Sequence, residues 1–280
     1  MQSDLIKKNS DYWSELCGSR AAKFLEIEAG DPSGVKIFDN WFFDFYPCLQ
    51  DEQFIPWGSV ENNRVIEIGL GYGSVTRRLS TTNGHVVSVD VAPGAVTFVR
   101  DTAEFASPLR ASALELPFPN DCFDLLISLG CLHYTGNLEA SLRECLRVVR
   151  PGGQLIVMVY NKFSYKRWIV APLDTSKAWL QERRYRFAES GASAPRRVSW
   201  FWDRNPAGSA PPHTEFASTR QLQALLAHTK PLKISTINVD DVSSLFSRLF
   251  HRTFSRLRPQ LLQSSLSRHL GLDLYVTVVK

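Results

Sequence analysis

Two patterns of apolar residues alternate along this chain. Short runs rich in valine, isoleucine and leucine predict strands that are buried on both faces of a parallel sheet. Between them, apolar residues recur every three or four positions, and this spacing predicts helices that cover the sheet. The predicted strands cover 65–68, 85–89, 123–128, 154–160, 232–239 and 272–279, and the predicted helices cover 74–80, 92–105, 138–149 and 218–228. The alternation indicates an α/β fold.

The first predicted strand runs directly into a glycine-rich turn and then into a predicted helix. Gly69, Gly71 and Gly73 allow positive φ angles and a close approach of the backbone to a ligand. Glu67 stands two residues before the first glycine. Asp90 ends the next apolar run, where a carboxylate accepts hydrogen bonds from a ribose diol. This strand, turn and helix therefore predict a nucleoside-containing ligand.

The spacing of the glycines distinguishes two classes of nucleotide-binding protein. A dinucleotide fingerprint, G-x-G-x-x-G, needs its third glycine where this chain has Ser74. The pattern E-x-G-x-G-x-G, with an acid at the end of the second strand, resembles instead the cofactor site of class I S-adenosylmethionine (SAM) methyltransferases. The resemblance implies that the glycine loop holds the methionine half of SAM and that Asp90 binds the ribose. It further implies that Glu67 helps to hold the sulfonium donor and that Val91 belongs to the same cofactor site. An NAD-binding Rossmann domain is the alternative interpretation.

The segment from position 109 to 124 strengthens the resemblance. It is similar to the family's D-A-x-x-L-P-F-x-D-x-x-F-D segment, which carries the adenine pocket after the third strand. Ser112 replaces the acid that typically faces the adenine amino group, and a neutral contact is weaker than a charge-assisted one. The resemblance implies that Ser112, Ala113 and Leu114 recognise adenine, chiefly through backbone groups.

The resemblance also implies a Rossmann-like class I methyltransferase fold. Its seven-stranded, mostly parallel sheet has the order 3-2-1-4-5-7-6, with the seventh strand antiparallel. Residues 1–58, rich in aromatic side chains, are expected to form an N-terminal helical cap, and 59–280 the methyltransferase domain. Insertions are expected after strands 5 and 6.

The end of the fourth predicted strand is expected to carry the chemistry. Ser128 and Leu129 should face the transferring methyl group, because ligands bind at the carboxyl ends of the strands in this type of sheet. His133 is the leading catalytic candidate, since a neutral imidazole accepts a proton near neutral pH. Tyr134 is a weaker candidate for contact with the substrate. The alternative for His133 is a structural role in ordering this loop.

Two further regions are expected to contact the acceptor. Tyr12 and Trp13 belong to the aromatic N-terminal cap, although packing on the sheet edge is an equally reasonable role for them. The insertion 161–217 is expected to lie over the active site as a substrate lid, and its His213 is a further candidate substrate contact.

Positive charge is concentrated in two segments. From Lys162 to Arg204 there are ten lysines or arginines and four acids, interleaved with aromatic residues. This composition is typical of a surface that binds RNA or an anionic small molecule, and also of an ordinary solvated surface. Residues 242–258 show a basic amphipathic pattern, which predicts either contact with an anionic membrane surface or packing over the core.

The bulk composition limits the remaining classes. The chain has 280 residues, enough for a large core, and a net charge of +4, too small to indicate nucleic-acid binding by itself. Its five cysteines are odd in number and lack C-x-x-C spacing, which favours reduced intracellular thiols over disulfides or a zinc site. No metal is expected. No signal peptide or membrane-spanning run is recognisable, so a cytoplasmic protein is expected.

The chain is similar to the small-molecule branch of the family, which includes ubiquinone and menaquinone biosynthesis methyltransferases, and the run 158–164 after the fifth strand reinforces this. The resemblance implies direct methyl transfer from SAM to a small or lipid-like acceptor. An RNA methyltransferase is one alternative, although no N-P-P-Y-type tetrapeptide and no RNA-binding module are recognisable. A SAM-binding protein without catalysis is the other.

Overall fold

A computed structural model describes residues 2–14, 25–27, 31–61, 63–81, 85–184, 193–205, 207–229, 231–239, 261–262 and 264–280 of this chain. Within them, seven strands form one sheet in the order β3-β2-β1-β4-β5-β7-β6. The strands are β1 (Arg64–Ile68), β2 (His85–Asp90), β3 (Ala106–Arg110), β4 (Phe123–Leu129), β5 (Val149–Tyr160), β6 (Leu232–Ile237) and β7 (Asp273–Val279). The predicted strand order is confirmed.

The strand directions are also those predicted. Strands β3, β2, β1, β4 and β5 pair in parallel, whereas β7 is antiparallel to both β5 and β6. Parallel neighbours need a crossover, and one helix supplies it between β1 and β2, between β2 and β3, and between β4 and β5. The helices are α1 (Gln2–Trp13), α2 (Val35–Phe45), α3 (Ser74–Ser80), α4 (Pro93–Thr102), α5 (Leu138–Val148), α6 (Tyr165–Val170), α7 (Pro172–Arg184), α8 (Arg196–Ser199), α9 (Thr219–Leu225) and α10 (Ser265–Leu270).

Among the element boundaries that differ from the predicted ones, three have identifiable reasons. Helix α4 was expected to reach position 105 but ends at Thr102, because Ala103 is extended and Phe105 takes a φ of 66°. Strand β6 ends two residues early because Asn238 takes a φ of 72°. Strand β5 begins five residues early, since Val149 already pairs with β4 ahead of the Pro-Gly-Gly turn.

The core lies on both faces of the sheet. Along β1, Val65 belongs to one buried cluster and its neighbour Ile66 to the other, and Leu125 and Leu126 of β4 divide in the same way. This alternation is what the continuous apolar runs predicted, because consecutive side chains of a strand point to opposite faces.

The N-terminal segment is attached to the sheet through aromatic stacking and one ion pair. The ring of Phe38 on α2 stacks on Tyr72 of the glycine loop at 4.3 Å between centroids. Nearby, Asp39 accepts hydrogen bonds from Ser74 Oγ at 2.6 Å and from Arg77 Nε at 2.8 Å. The helical character of the cap is therefore seen in α1 and α2, while a domain boundary at position 58 stays a prediction.

The insertion 161–217 carries α6, α7 and α8 between β5 and α9. The predicted amphipathic helix at 242–258 lies outside the described residues, as does Cys17. Cys48, Cys122, Cys131 and Cys145 are free thiols. None of the helices in the described ranges is both long enough and apolar enough to cross a membrane.

We expect Asp39→Ala to lower the free energy of unfolding by about 1–3 kcal/mol, because it leaves the largely buried Arg77 side chain without its carboxylate partner. Urea denaturation followed by circular dichroism measures this change. The matched control is Asp4→Ala, which removes an exposed ion pair with Lys8 and should cost less than about 0.5 kcal/mol. Equal effects of the two substitutions would contradict a structural role for the Asp39 pair.

Candidate functional site

A cavity of about 290 Å³ lies at the carboxyl ends of β1, β2 and β4. The loops that follow these three strands form its floor, and α1 and α2 of the N-terminal segment close its other side. Asn9 of α1 fixes this arrangement by donating a hydrogen bond to the Tyr134 carbonyl at 2.8 Å. The cavity is therefore shared between the sheet and the predicted cap.

Two glycines of the loop after β1 are required for different reasons. Gly69 takes a φ of 88°, and a Cβ atom there would lie 2.3 Å from Cβ of Cys131, so a side chain does not fit. Gly71 takes a φ of 51°, and a Cβ atom there would meet nothing within 4 Å, because it would project into the open cavity. Gly73 precedes α3 and does not line the cavity.

Asp90 ends β2 at the edge of the cavity. One of its carboxylate oxygens accepts the Leu70 N–H at 2.7 Å, and the other accepts the Ala92 N–H at 2.8 Å. Burial raises the pKa of Asp90, while these backbone N–H groups oppose the increase. The carboxylate therefore ties the glycine loop to the second strand and retains lone pairs for a ligand.

Glu67 lies beneath the same loop and is 3% exposed. It accepts a hydrogen bond from Thr76 Oγ1, which is also 2.9 Å from Ser88 Oγ. Burial raises the pKa of Glu67 to about 8, against the opposing effects of Thr76 and of the Arg77 charge. A carboxyl group in this position binds its proton unusually tightly, and a cation placed beside it would favour the ionised form.

The remaining predicted cofactor residues divide between the cavity wall and the interior. Val91, Leu129 and the three expected adenine contacts Ser112, Ala113 and Leu114 line the cavity.

Two polar side chains among these predicted residues are already hydrogen-bonded within the protein. Ser112 Oγ accepts a hydrogen bond from the Leu114 N–H at 3.2 Å. Ser128 does not line the cavity. It is buried and donates a hydrogen bond to the Ile68 carbonyl at 2.9 Å, so it ties β4 to β1.

His133 is not in the cavity. Its ring is fully buried and packs against the rings of Tyr134 and Tyr160, at 4.2 Å and 4.1 Å between centroids. Burial lowers the pKa of His133 to about 3, and nearby His213 adds to the decrease. A base this weak, separated from the cavity, does not support the predicted role of His133 as proton acceptor. The position fits the alternative, a histidine that orders the loop.

The predicted substrate residues are only partly brought together. Trp13 and Tyr134 both line the cavity, with their ring centroids 4.9 Å apart. Tyr12 instead donates a hydrogen bond to the Ser209 carbonyl at 3.0 Å, and it does not line the cavity. His213 is buried away from the cavity wall, near His133.

Sequence reasoning missed several residues of the cavity. Four aromatic side chains of the N-terminal segment line it, and the density of aromatics before position 58 was the available signal. These are Phe38, Trp41, Phe42 and Tyr46. Asp203, from the insertion, also lines the cavity, and nothing in its local sequence distinguishes it from other loop acids.

The ionisable side chains among the described residues of the cavity, other than cysteine and tyrosine, are all acidic. Among its described lining residues are the three carboxyl side chains Glu67, Asp90 and Asp203, and no lysine, arginine or histidine. Such a site favours a cationic ligand and disfavours the pyrophosphate of a dinucleotide. The described part of the chain also contains no cluster of three His, Cys, Asp or Glu side chains arranged to bind a metal ion.

Residues 66–157 match a family model described as a methyltransferase domain. The chain is 31% identical over 117 residues to a demethylmenaquinone methyltransferase of Tropheryma whipplei, an alignment that covers 41% of this chain and 48% of that protein. It is 32% identical over 114 residues to a ubiquinone/menaquinone biosynthesis C-methyltransferase of Vibrio vulnificus, covering 38% of this chain and 44% of that protein. The chain thus spans about half the length of the curated relatives it matches.

The fold is also that of known methyltransferases. The crystal structure of an S-adenosylmethionine-dependent methyltransferase from Mesorhizobium loti aligns with a TM-score of 0.52 at 16% identity, covering 79% of this chain and 92% of that one. The expected resemblance to class I SAM methyltransferases is confirmed. The domain match implies S-adenosylmethionine as the methyl donor.

We expect Gly71→Ala to weaken SAM binding at least tenfold while lowering the free energy of unfolding by only about 1 kcal/mol, the cost of a left-handed non-glycine residue. The added methyl group would project into the cavity without striking the protein. Gly208→Ala is the matched control, since Gly208 has a φ of 81°, equally open surroundings and no contact with the cavity. Calorimetric SAM titration and urea denaturation measure both effects, and equal SAM affinities would contradict the assignment.

We expect Glu67→Gln to change how stability depends on pH. Below about pH 4.5 the carboxyl group is protonated in both the folded and unfolded states. Between about 4.5 and 8 the unfolded state ionises while the folded state retains its proton, so ionisation increasingly favours unfolding.

From pH 5.5 to 8, the wild-type protein without cofactor should therefore lose roughly 2–3 kcal/mol more stability than Glu67→Gln, which retains an acceptor for Thr76. Urea denaturation at several pH values tests this expectation. Parallel stability curves for the two proteins would show that Glu67 titrates normally in the folded state.

Proposed function

We propose that this chain transfers a methyl group from S-adenosylmethionine to a small, planar, largely apolar acceptor. One observation carries the proposal: a single cavity is lined both by the glycine loop with its neighbouring acids, which suit a cationic nucleoside, and by large aromatic side chains. The methyltransferase domain match over residues 66–157 supports the same reaction class.

The cofactor would be held by the part of the cavity wall that contains the glycine loop, Glu67 and Asp90. Asp90 would accept hydrogen bonds from the ribose hydroxyls through the lone pairs that the backbone N–H groups leave unused. Glu67 would lie near the positive charges of the methionine half, which would favour its ionised form. Gly71 leaves the space that this half requires, and Ser112 to Leu114 would border the adenine.

When bound, S-adenosylmethionine would supply a methyl group on a positively charged sulfur, for transfer to a nucleophilic atom of the acceptor with the carbon–sulfur electron pair remaining on sulfur. The side chains of this protein would contribute by alignment and by excluding water. Trp13, Phe42 and Tyr46 border the cavity with apolar surface, so they would shield the reacting atoms and fix the plane of the acceptor.

The proposed class of acceptor follows from the aromatic side chains that line the cavity. Large aromatic side chains bind flat apolar rings through stacking and edge contacts. One relative is named a demethylmenaquinone methyltransferase, and the other a ubiquinone/menaquinone biosynthesis C-methyltransferase. These names support a quinone-type ring as the acceptor.

The cofactor assignment is tested by titrating SAM and NAD separately into the purified protein in a calorimeter. We expect micromolar SAM binding that weakens tenfold or more in Asp90→Asn, because the amide loses the charge that strengthens the ribose hydrogen bonds. Asp101→Asn, an exposed acid of α4, is the control and should bind like wild type. Binding of NAD without SAM would overturn the proposal.

Turnover is tested with SAM labelled in its methyl group and reduced demethylmenaquinone as the acceptor. Label that moves into the organic phase supports the proposed acceptor class. Transfer to RNA would support the RNA methyltransferase alternative, and SAM binding without transfer to either acceptor would favour a protein that binds SAM without catalysis.

A further inference from the structure

A carboxylate from the insertion reaches the cavity wall beside Tyr134 and accepts hydrogen bonds from two tyrosines. Asp203 Oδ2 accepts the hydroxyl of Tyr160 at 2.5 Å and also the hydroxyl of Tyr134. The two tyrosine oxygens are 3.2 Å apart. Asp203 and Tyr134 both line the cavity, beside Trp13.

We propose that Asp203 is the proton acceptor of the reaction and that the acceptor molecule presents a ring hydroxyl to it. This inference rests on the proposed methyl transfer and adds the group that recognises the acceptor. Tyr160, which does not line the cavity, is a positioning residue for the carboxylate.

The tyrosines act as donors to Asp203 and not as bases themselves. Burial raises the pKa of both hydroxyls well above the ordinary value for tyrosine, and the charge of Asp203 acts in the same direction. Both hydroxyls therefore keep their protons and orient the carboxylate. The ring of His133 packs against both tyrosine rings and so helps to fix this arrangement.

The other two carboxyl groups among the described lining residues contact the glycine loop and the elements next to it. Glu67 accepts the hydroxyl of Thr76, and Asp90 accepts backbone N–H groups of the glycine loop and of the residue that precedes α4. His133 is separated from the cavity by its burial. Among the described lining residues, Asp203 is thus the acid that contacts the hydroxyl of an aromatic cavity residue, Tyr134.

A hydroxyl suits this position better than an ammonium group. An amine must be neutral to attack a methyl group, and a second cation beside a positively charged sulfur would be repelled. A ring hydroxyl can donate to the carboxylate while still neutral. As it ionises, its O–H bond breaks, the electron pair stays on the oxygen and the proton passes to Asp203. The anion that forms is attracted to the positive charge of the donor.

The test compares two ligands that differ by one hydroxyl, 4-nitrophenol and nitrobenzene, on protein saturated with S-adenosylhomocysteine at about pH 5.5, where 4-nitrophenol keeps its proton and carboxyl groups of ordinary pKa are ionised. Calorimetry measures the affinity of each ligand for the wild type, Asp203→Asn, Tyr160→Phe and Asp121→Asn. Asp121 lies before β4, at the end of the strand away from the cavity, where it accepts a hydrogen bond from Lys280, so its variant is the matched control.

We expect the wild type and Asp121→Asn to prefer 4-nitrophenol by about tenfold or more, as for a hydrogen bond to a charged group. Asp203→Asn should lose most of this preference and Tyr160→Phe part of it, with nitrobenzene affinity nearly constant. An unchanged preference in Asp203→Asn, or no binding of 4-nitrophenol by the wild type, would overturn the inference.

Binding of S-adenosylhomocysteine separates this inference from the proposed function. If neither the wild type nor any variant binds S-adenosylhomocysteine, the proposed methyl transfer itself is contradicted. If Asp203→Asn binds it like wild type, that variant is folded and its ligand preference tests Asp203 directly. Tyr160→Phe leaves the Asp203 carboxylate intact but removes one of its hydrogen-bond donors, so it tests the same group independently.

Discussion

The cavity depends on the hydrogen bonds that join the glycine loop to the end of β2. The Asp90 carboxylate accepts N–H groups on both sides of the crevice, and the Gly69 N–H donates to the Val89 carbonyl at 2.8 Å. These bonds hold the loop open above β1, and positive φ angles at the glycines make the path possible. The floor of the cavity is therefore backbone held in place by one side chain, and its shape follows from the parallel pairing of β1 and β2.

The same site contains carboxyl groups whose ionised forms are destabilised by burial. Glu67 and Asp90 are carboxyl groups whose burial raises their pKa, and Asp203 adds a third acid to the cavity wall. A fold selected for stability alone would not bring three acidic side chains together at one buried site, because the desolvation of carboxylates costs free energy. A cationic ligand would offset this cost on binding. Departures from the most stable composition of this kind are typical of ligand-binding sites.

The enclosure of the cavity comes from parts of the chain that lie outside the matched domain. Helices α1 and α2 supply the aromatic side chains, and the insertion supplies Asp203. The two contributions meet at Tyr134. Its carbonyl accepts a hydrogen bond from the Asn9 side chain, and its hydroxyl donates one to Asp203. The glycine loop thus lies within the matched domain, whereas much of the cavity's aromatic wall and Asp203 lie outside it. The positions of these outer segments depend on long-range packing.

The sequence by itself determined the sheet and the cofactor loop, because both follow from local rules. Apolar runs predict buried strands, glycines predict positive φ, and an acid at the end of a strand remains there whatever else packs around it. The sequence did not determine which side chains reach the cavity wall. His133 and Asp203 show why: one is four residues beyond β4 yet turns into the core, while the other is 74 residues beyond β4 yet faces the cavity. Only the tertiary structure decided this, since the direction of a loop side chain depends on partners distant in sequence, here Tyr134 and Tyr160.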